Sequence, residues 1–364
     1  MIKKLKTFTL QTIAGANIVT IIVMLAMGYS DRLDPTSFPI LSKGGLAFPV
    51  FLILNFAFLV FWIVFKTRWA IIPFAGFLLC YAPIRIYCPL NITHTPPRDA
   101  IKVLSYNVWL FAGWETPGSK PNPILEYIKE QDADIVCLQE SNLTEIKKAK
   151  VDSVLNPIYQ YQDTAMHQTG NCISIYSKFP ILSKERIMYE SKGNLSAAFK
   201  LMVNGEEVLV VNNHLETTGL TVEDKDRFKT MMKGEMKVDT AGLTSKTLIN
   251  KLGKAMSIRA RQAEAVARYV AYHSDMPVIL CGDFNDSPIS YARRTIAKEL
   301  TDCYVEAGNG PGISYHHNGF YFRIDNIMCS AHFEPVVCRV DNKIKTSDHY
   351  PIICWLEKTS EYQA

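Results

Sequence analysis

A layered α/β domain behind a membrane-embedded helical segment is the architecture this sequence predicts, and three observations carry the prediction. Residues 1 to 90 hold three long apolar stretches with few charges. From Ile101 onward, short runs rich in β-branched residues alternate with longer amphipathic segments, the pattern of buried strands separated by helices. Polar residues gather at the ends of those runs. The 364 residues suffice for one domain of roughly 250 residues and a smaller appendage.

The apolar stretches come first. Thr7 to Met27 is uncharged and matches the about 20 residues that cross a bilayer. Leu46 to Phe65 is almost wholly aliphatic and aromatic, and Trp69 to Cys88 is a third candidate interrupted by Pro73, Pro83 and Arg85. Lys3, Lys4 and Lys6 precede the first stretch as in a signal peptide, but it is long for one and two further spans follow. Basic residues favour the cytoplasm. That puts the amino end and the Lys66–Arg68 loop inside, and three spans then place everything after Cys88 outside. The expectation is an integral protein of a bacterial-type inner or plasma membrane: residues 1–90 as three transmembrane helices, 91–100 as a linker, and 101–364 as an extracytoplasmic catalytic domain.

In that domain, Ile101–Leu104, Ile135–Leu138, Val208–Val211, Val278–Cys281 and Ile352–Leu356 read as buried strands, and Ser257 to His273 as an amphipathic helix packed on a sheet. Glu216 to Met256 is polar and weakly patterned, a helical excursion or mobile loop beside the site; its Lys225, Arg227, Lys229, Lys233 and Lys237 either touch anionic lipid or substrate or, the preferred reading, form a solvated face. The nine cysteines lack CxxC or zinc spacing and read as small core hydrophobes. A net charge of +4 does not argue for a nucleic-acid binder.

The chemistry lies at the strand ends: Asn107 after Ser105-Tyr106, Glu140 after Gln139, His214 after Asn213, and Asp283-Phe284-Asn285. Ser347-Asp348-His349 precedes a strand instead. Polar groups on one rim of a sheet converge on a common cleft. Glu140 and Asp348 are hard oxygen ligands, which favours Mg²⁺ or Mn²⁺. Asp283 and Asn285 lie two apart, so in a strand-like segment both point the same way. An aspartate there takes a proton from water, while His214 and His349 donate to a phosphate. No GxxxxGK[ST] loop and no GxSxG elbow is present. Attack by water on a metal-bound phosphate ester is the simplest mechanism left.

Six segments in order, LSYNVWLF, DIVCLQES, VVNNHLE, VILCGDFNDSP, FRIDNIMCS and TSDHYPI, resemble the endonuclease/exonuclease/phosphatase superfamily from Ile101 to about Glu357. The resemblance implies a four-layer α/β sandwich, two packed mixed β-sheets flanked by helices. It also implies roles: Glu140 as principal Mg²⁺ ligand with Asn107 beside it, and Asp348 supporting the metal directly or through water. Asp283 orients or deprotonates the attacking water, and Asn285 holds the phosphate. His349 and His214 contact the phosphate, and Asp325 orients His349. Asn107 also reads as a turn cap and Asp325 as a structural carboxylate; His316 and His317 read as loop residues, Tyr106 and Trp109 as packing. Asn171-Cys172 departs from the family's usual glycine and small residue. The substrate does not transfer with the superfamily.

The expected function is therefore a membrane-anchored, metal-dependent phosphoesterase acting on a lipid-linked phosphodiester or pyrophosphate. An extracellular metal-dependent nuclease is the alternative, and a non-catalytic membrane scaffold is third.

Overall fold

The short apolar runs form twelve strands among the residues that the computed structural model describes, 2–112, 121–317 and 319–359. They are β1 (Ile101–Asn107), β2 (Ile135–Gln139), β3 (Tyr161–Met166), β4 (Cys172–Ser177), β5 (Ile181–Ile187) and β6 (Leu195–Val203). The remainder are β7 (Glu206–His214), β8 (Val278–Asp283), β9 (Thr301–Asp302), β10 (Asp325–Cys329), β11 (Phe333–Val340) and β12 (Ile352–Lys358). Residues 360–364, the end of the expected catalytic domain, lie outside the described residues, as does Met1.

Two six-stranded mixed sheets result. The first has the order β11-β12-β1-β2-β4-β3, with β1 and β2 its parallel pair. The second has the order β5-β6-β7-β8-β10-β9, with β7 and β8 its parallel pair. Alternation explains how the strands pack. In β8, Ile279 and Cys281 face the core between the sheets, with Val103 and Ile135 of the first sheet in the same cluster. Val278 and Leu280 point the other way, to Ala263, Val266 and Val270 of the helix Val238–Tyr272. Both faces of β8 are thus buried, so it reads as an uninterrupted apolar run. Helices Pro123–Gln131 and Glu145–Leu155 cover the outer face of the first sheet through Ile124, Ile128 and Val151. This is the four-layer sandwich expected.

Sheet polarity places the site. Because β1 and β2 are parallel, Asn107 and Glu140 leave the first sheet at one edge, where antiparallel β12 enters just after Ser347–His349. In the second sheet β7 ends at His214 and β8 at Asp283, and antiparallel β10 begins at Asp325, directly opposite Asp283. Beneath this rim the sheets are stitched together: Gln139 Nε2 donates to Asn212 Oδ1 (2.7 Å), and Asn212 Nδ2 to the Leu138 and Ser174 carbonyls.

Of the two readings of Glu216–Met256, the helical excursion is the one found: Val222–Met232, opened by a capping box between Thr221 and Asp224, is followed by the first half of the 35-residue helix Val238–Tyr272. The helix expected over Ser257–His273 is its second half. The third apolar stretch is not one straight helix. Two helices, Lys4–Arg32 and Phe48–Phe65, are long and apolar enough to cross a membrane, whereas Thr67–Leu79 and Tyr81–Tyr87 meet at a bend of 66°. Pro83 explains the break, since a proline ring collides with the carbonyl four residues back. That carbonyl, of Leu79, accepts the Tyr29 hydroxyl instead (2.9 Å). The apolar helices are tied by buried polar groups: Trp62 Nε1 donates to Asn17 Oδ1, Asn17 to Asn55, and Asn55 to the Pro73 carbonyl.

The amino-terminal helices pack on the sandwich. Arg261 pairs with Asp34 (2.7 Å), Arg294 approaches Asp31 (3.7 Å), and Arg85 pairs with Glu306 (2.6 Å). Ile289 joins a buried apolar cluster with Met24, Phe48 and Cys80. Gly45 lies so close to it that a Cβ would stand 1.9 Å from the Ile289 carbonyl oxygen.

Candidate active site

Asp283 is the hub of the rim. It is 1% exposed, and its two oxygens have different partners. Oδ1 accepts the Asn285 backbone N–H (2.8 Å), and Oδ2 accepts Asn107 Nδ2 (3.1 Å). Asn107 Nδ2 also reaches Glu140 Oε1 (3.2 Å), so one amide bridges carboxylates from the two sheets. Asn107 Oδ1 accepts the Trp109 backbone N–H (3.1 Å), and Ser347 Oγ donates to the Asn107 backbone carbonyl (2.8 Å), joining β1 to the Ser347–His349 segment.

Two imidazoles flank Asp283. His349 Nε2 lies 3.7 Å from Asp283 Oδ2, while its Nδ1 is held by Asp325 Oδ2 at 2.8 Å. Burial alone would lower the pKa of His349, but the carboxylates of Asp325 and Asp283 outweigh it and push the pKa up to about 10. Burial, reinforced by Asp325 and offset by His349 and His214, pushes Asp283 up to about 6. His214 Nε2 stands 3.6 Å from Glu140 Oε1 and 3.7 Å from Asp283 Oδ2. Both of its ring nitrogens are buried with no hydrogen-bond partner among the described residues. A buried imidazole in that state is costly unless a ligand completes it.

Asp283 and Asn285 do not share a strand face as alternation would have it. β8 stops at Asp283, and Asn285 sits in the left-handed region (φ +52°) with its Nδ2 on the Leu215 carbonyl. Glu140, the residue after β2, also has φ +52°. Non-glycine residues in this region are strained by about 1–3 kcal/mol, and such positions cluster at functional sites. Gly282 has a steric reason: a Cβ there would meet the Asn213 carbonyl oxygen of the adjacent strand at 2.0 Å, and its φ is +132°.

Glu140, Asp283, Asn285, Asp348 and His349 line a single cavity of about 390 Å³; Asn107, His214 and Asp325 form the layer around Asp283. All eight candidate residues therefore come together. Glu140 and Asp348 have no lysine or arginine ion-pair partner among the described residues, and both carboxylates line the cavity. That donor set suits a hard divalent cation. The tight trio of Asp283, Asp325 and His349, with ligand atoms within 4.8 Å, suits it less, because its His349 Nδ1 is already bonded to Asp325.

Further side chains adjoin the cavity. Arg259, 1% exposed, donates to Asp286 Oδ2 (3.0 Å) and to the Glu216 carbonyl, fixing the loop after Asn285. Lys225 is not simply part of a solvated face: it lines the cavity, and its Nζ donates to the Tyr315 hydroxyl (2.7 Å). The Tyr315 ring in turn lies edge-on to His349 at 5.0 Å. Asp286 has a local signal in its place directly after Gly282–Asn285, and Lys225 in its basic segment; Arg259 and Tyr315 have none. His316 and His317 are loop residues, His316 stacking on Tyr350 at 3.8 Å. Tyr106 is buried packing, but Trp109 is 44% exposed.

Comparison with known proteins follows the same division of the chain. The Endonuclease/Exonuclease/phosphatase family matches residues 104–349, and a domain of unknown function (DUF8431) matches residues 10–87. None of the curated proteins matches. Sphingomyelinase C from Streptomyces griseocarneus superposes with a TM-score of 0.50 at 18% identity, over 70% of this chain and 99% of its own. D. rerio TDP2 complexed with single strand DNA product gives 0.50 at 15% identity, over 71% and 100%. An endonuclease/exonuclease/phosphatase from Bacteroides vulgatus gives 0.50 at 16% identity, over 72% and 100%. At these identities the likeness is one of fold.

Proposed function

Because the chain belongs to the endonuclease/exonuclease/phosphatase family, a family of phosphoester hydrolases, we propose that it is a membrane-anchored, divalent-metal-dependent phosphoesterase that hydrolyses a lipid-linked phosphodiester or pyrophosphate. The observation that carries the reading is the docking of the family's rim of carboxylates and imidazoles, on its sandwich, against the loop between two apolar helices, through Arg261–Asp34 and Gly45–Ile289.

That docking also supports a topology. The loop 29–46 touches the sandwich, so the two share one side of the membrane. The chain leaves that side through Phe48–Phe65 and must return to it, which makes the bent pair Thr67–Leu79 and Tyr81–Tyr87 the third crossing. Residues 1–90 are then the membrane segment, 91–100 the linker and 101–364 the catalytic domain. With Lys4, Lys6, Lys66 and Arg68 in the cytoplasm, the domain lies outside.

Glu140, with Asp348 and Asn107 beside it, would hold Mg²⁺ or Mn²⁺. The ion would supply Lewis-acid polarisation of the phosphate and neutralise its charge. Asp283 receives a proton from the attacking water as the water oxygen bonds to phosphorus. The bond from phosphorus to the leaving oxygen breaks, that oxygen departs as the alcohol or phosphate product with a proton taken from solvent, and Asp283 then releases its own proton to solvent. His349, kept in one orientation by Asp325, and His214, with its ring nitrogens free, donate to the phosphate oxygens on which charge builds up. Asn107 ties Glu140 to Asp283.

The experiment offers the purified full chain, with Mg²⁺, a total lipid extract, polyprenyl pyrophosphate and duplex DNA in parallel. Release of phosphate or head group, abolished by Asp283→Asn, is the expected result. Cleavage of DNA without either release would make the protein a nuclease.

A further inference from the structure

The cavity that holds the catalytic carboxylates has a second, apolar wall. Leu46, from the loop before the helix Phe48–Phe65, is one part of it. Phe228 comes from the helix Val222–Met232, and Leu252 and Met256 from the long helix that follows. Phe320 and Ile324, from the segment before β10, complete it. Phe228 and Phe320 stack with ring centroids 4.5 Å apart, fastening the polar helical excursion to that segment. The wall is thus built by three separated stretches of chain meeting at one opening.

Such a wall has a definite complement. A cleft that tracks a nucleic-acid backbone is lined by basic and stacking groups along its length. Here two basic side chains, Lys225 and Arg259, line the cavity, Arg259 is bonded to Asp286, and the wall from Leu46 to Ile324 is aliphatic and aromatic. A volume of about 390 Å³ admits about a dozen water-sized groups at about 30 Å³ each. Filling it with methylenes removes apolar surface from water, which favours binding. Leu46 stands only two residues ahead of an apolar helix that is long enough to cross a bilayer, so the wall is continuous with the part of the chain that meets lipid.

We propose that this wall is a hydrocarbon-chain subsite. The substrate is a phosphoester whose apolar chain lies against Leu46, Phe228, Leu252, Met256, Phe320 and Ile324 while its phosphate meets Asp283 and His349. The assignment of the phosphate end rests on the phosphoesterase reading above; the chain end is tested separately. Lys225, on the same excursion as Phe228 and anchored on the Tyr315 hydroxyl, brings a cation to the phosphate side.

The test uses the full chain in nanodiscs and hexadecyl phosphate carrying a diazirine at mid-chain. Illumination and peptide mapping should place the label on peptides containing Leu46, Leu252–Met256 or Phe320, and hexadecyl phosphate should suppress it where ethyl phosphate does not. Label confined to the apolar helices, or equal suppression by both phosphates, overturns the subsite. In parallel, the Mg²⁺-loaded chain is given hexadecyl and ethyl p-nitrophenyl phosphate. A preference for the hexadecyl ester should fall at least tenfold in Leu252→Asp/Met256→Asp and in Phe228→Ser, and its retention in both overturns the subsite. Hydrolysis of neither ester by the unmodified chain counts against the phosphoesterase reading, while the labelling map still decides the chain subsite.

Discussion

Replacing Asp325 by asparagine removes one charge and leaves the shape of the side chain intact. In the native site Asp325 Oδ2 holds His349 Nδ1 at 2.8 Å, with Asp325 0% and His349 4% exposed. Water does not compete for that bond. A hydrogen bond to a charged group is worth about 1.5–3 kcal/mol, and 1.36 kcal/mol is tenfold in rate. Asp325→Asn should therefore lower kcat/KM about 10- to 150-fold. His349→Ala removes the donor itself and should cost about 10²–10⁴-fold. In the proposed mechanism Asp325 acts through His349, so the double variant should be no worse than His349→Ala alone, as for residues that act as a unit. The assay is phosphate release by the full chain, with thermal melts to show that each variant remains folded. Two results refute the reasoning: an Asp325→Asn protein as active as the original, or a double variant whose loss equals the product of the single losses.

Glu140→Gln keeps the side chain's size and removes a hard ligand. The Mg²⁺ concentration for half-maximal activity should rise by at least the roughly tenfold that loss of an outer-sphere partner causes, and chelator should abolish activity until Mg²⁺ or Mn²⁺ is returned; restoration by zinc alone would contradict the donor argument. Asp302 tests the frame behind the site. Burial alone would raise its pKa, but the guanidiniums of Arg293 and Arg323 outweigh this and hold it below the usual value. A lowered folded pKa means that its stabilisation is present above about pH 4, the unfolded value, and lost as pH falls through the folded value. Asp302→Asn leaves Arg293 buried without its partner at 2.6 Å. It should cost about 3–5 kcal/mol at pH 7, or about 6–20 °C in melting temperature, and the gap from the original should narrow at pH 3. Gly282→Ala should yield no monodisperse protein on size exclusion, since its Cβ would overlap the Asn213 carbonyl; normal recovery would count against the close approach of β7 and β8.

The sandwich was legible because its central strands are buried on both faces, so Val278–Cys281 and Ile352–Leu356 stand out as apolar runs with polar ends. The site was legible for the same reason, since parallel neighbours in each sheet end at one rim. Strand alternation would put Asn285 beside Asp283, whereas β8 stops at Asp283 and a left-handed turn carries Asn285 to the cavity lining. Arg259 and Tyr315 carry no local signal, since each reaches the cavity from outside the motifs; Lys225 is legible only as one of five basic residues that either touch an anion or stay solvated, and nothing local distinguishes the two. The first half of the helix Val238–Tyr272 lacks a strong apolar period because it packs on little besides the cavity and its neighbouring excursion. The bend at Cys80 follows from Pro83, but only the Tyr29 hydroxyl on the Leu79 carbonyl accounts for how the break is accommodated.

Gly45 and Ile289 press together with no room for a methyl group, flanked by Arg261–Asp34 and Arg85–Glu306. An enzyme on a flexible tether sweeps a hemisphere and reaches targets at many heights above its anchor. One clamped to its anchor at several points works at a single height. Its encounters then become a search in a plane, in which the local density of target in the sheet of lipid replaces bulk concentration. On this reading, loosening the clamp with a larger residue at Gly45 would trade a fixed working height for reach, slowing turnover of targets embedded in the bilayer while widening access to those dissolved above it.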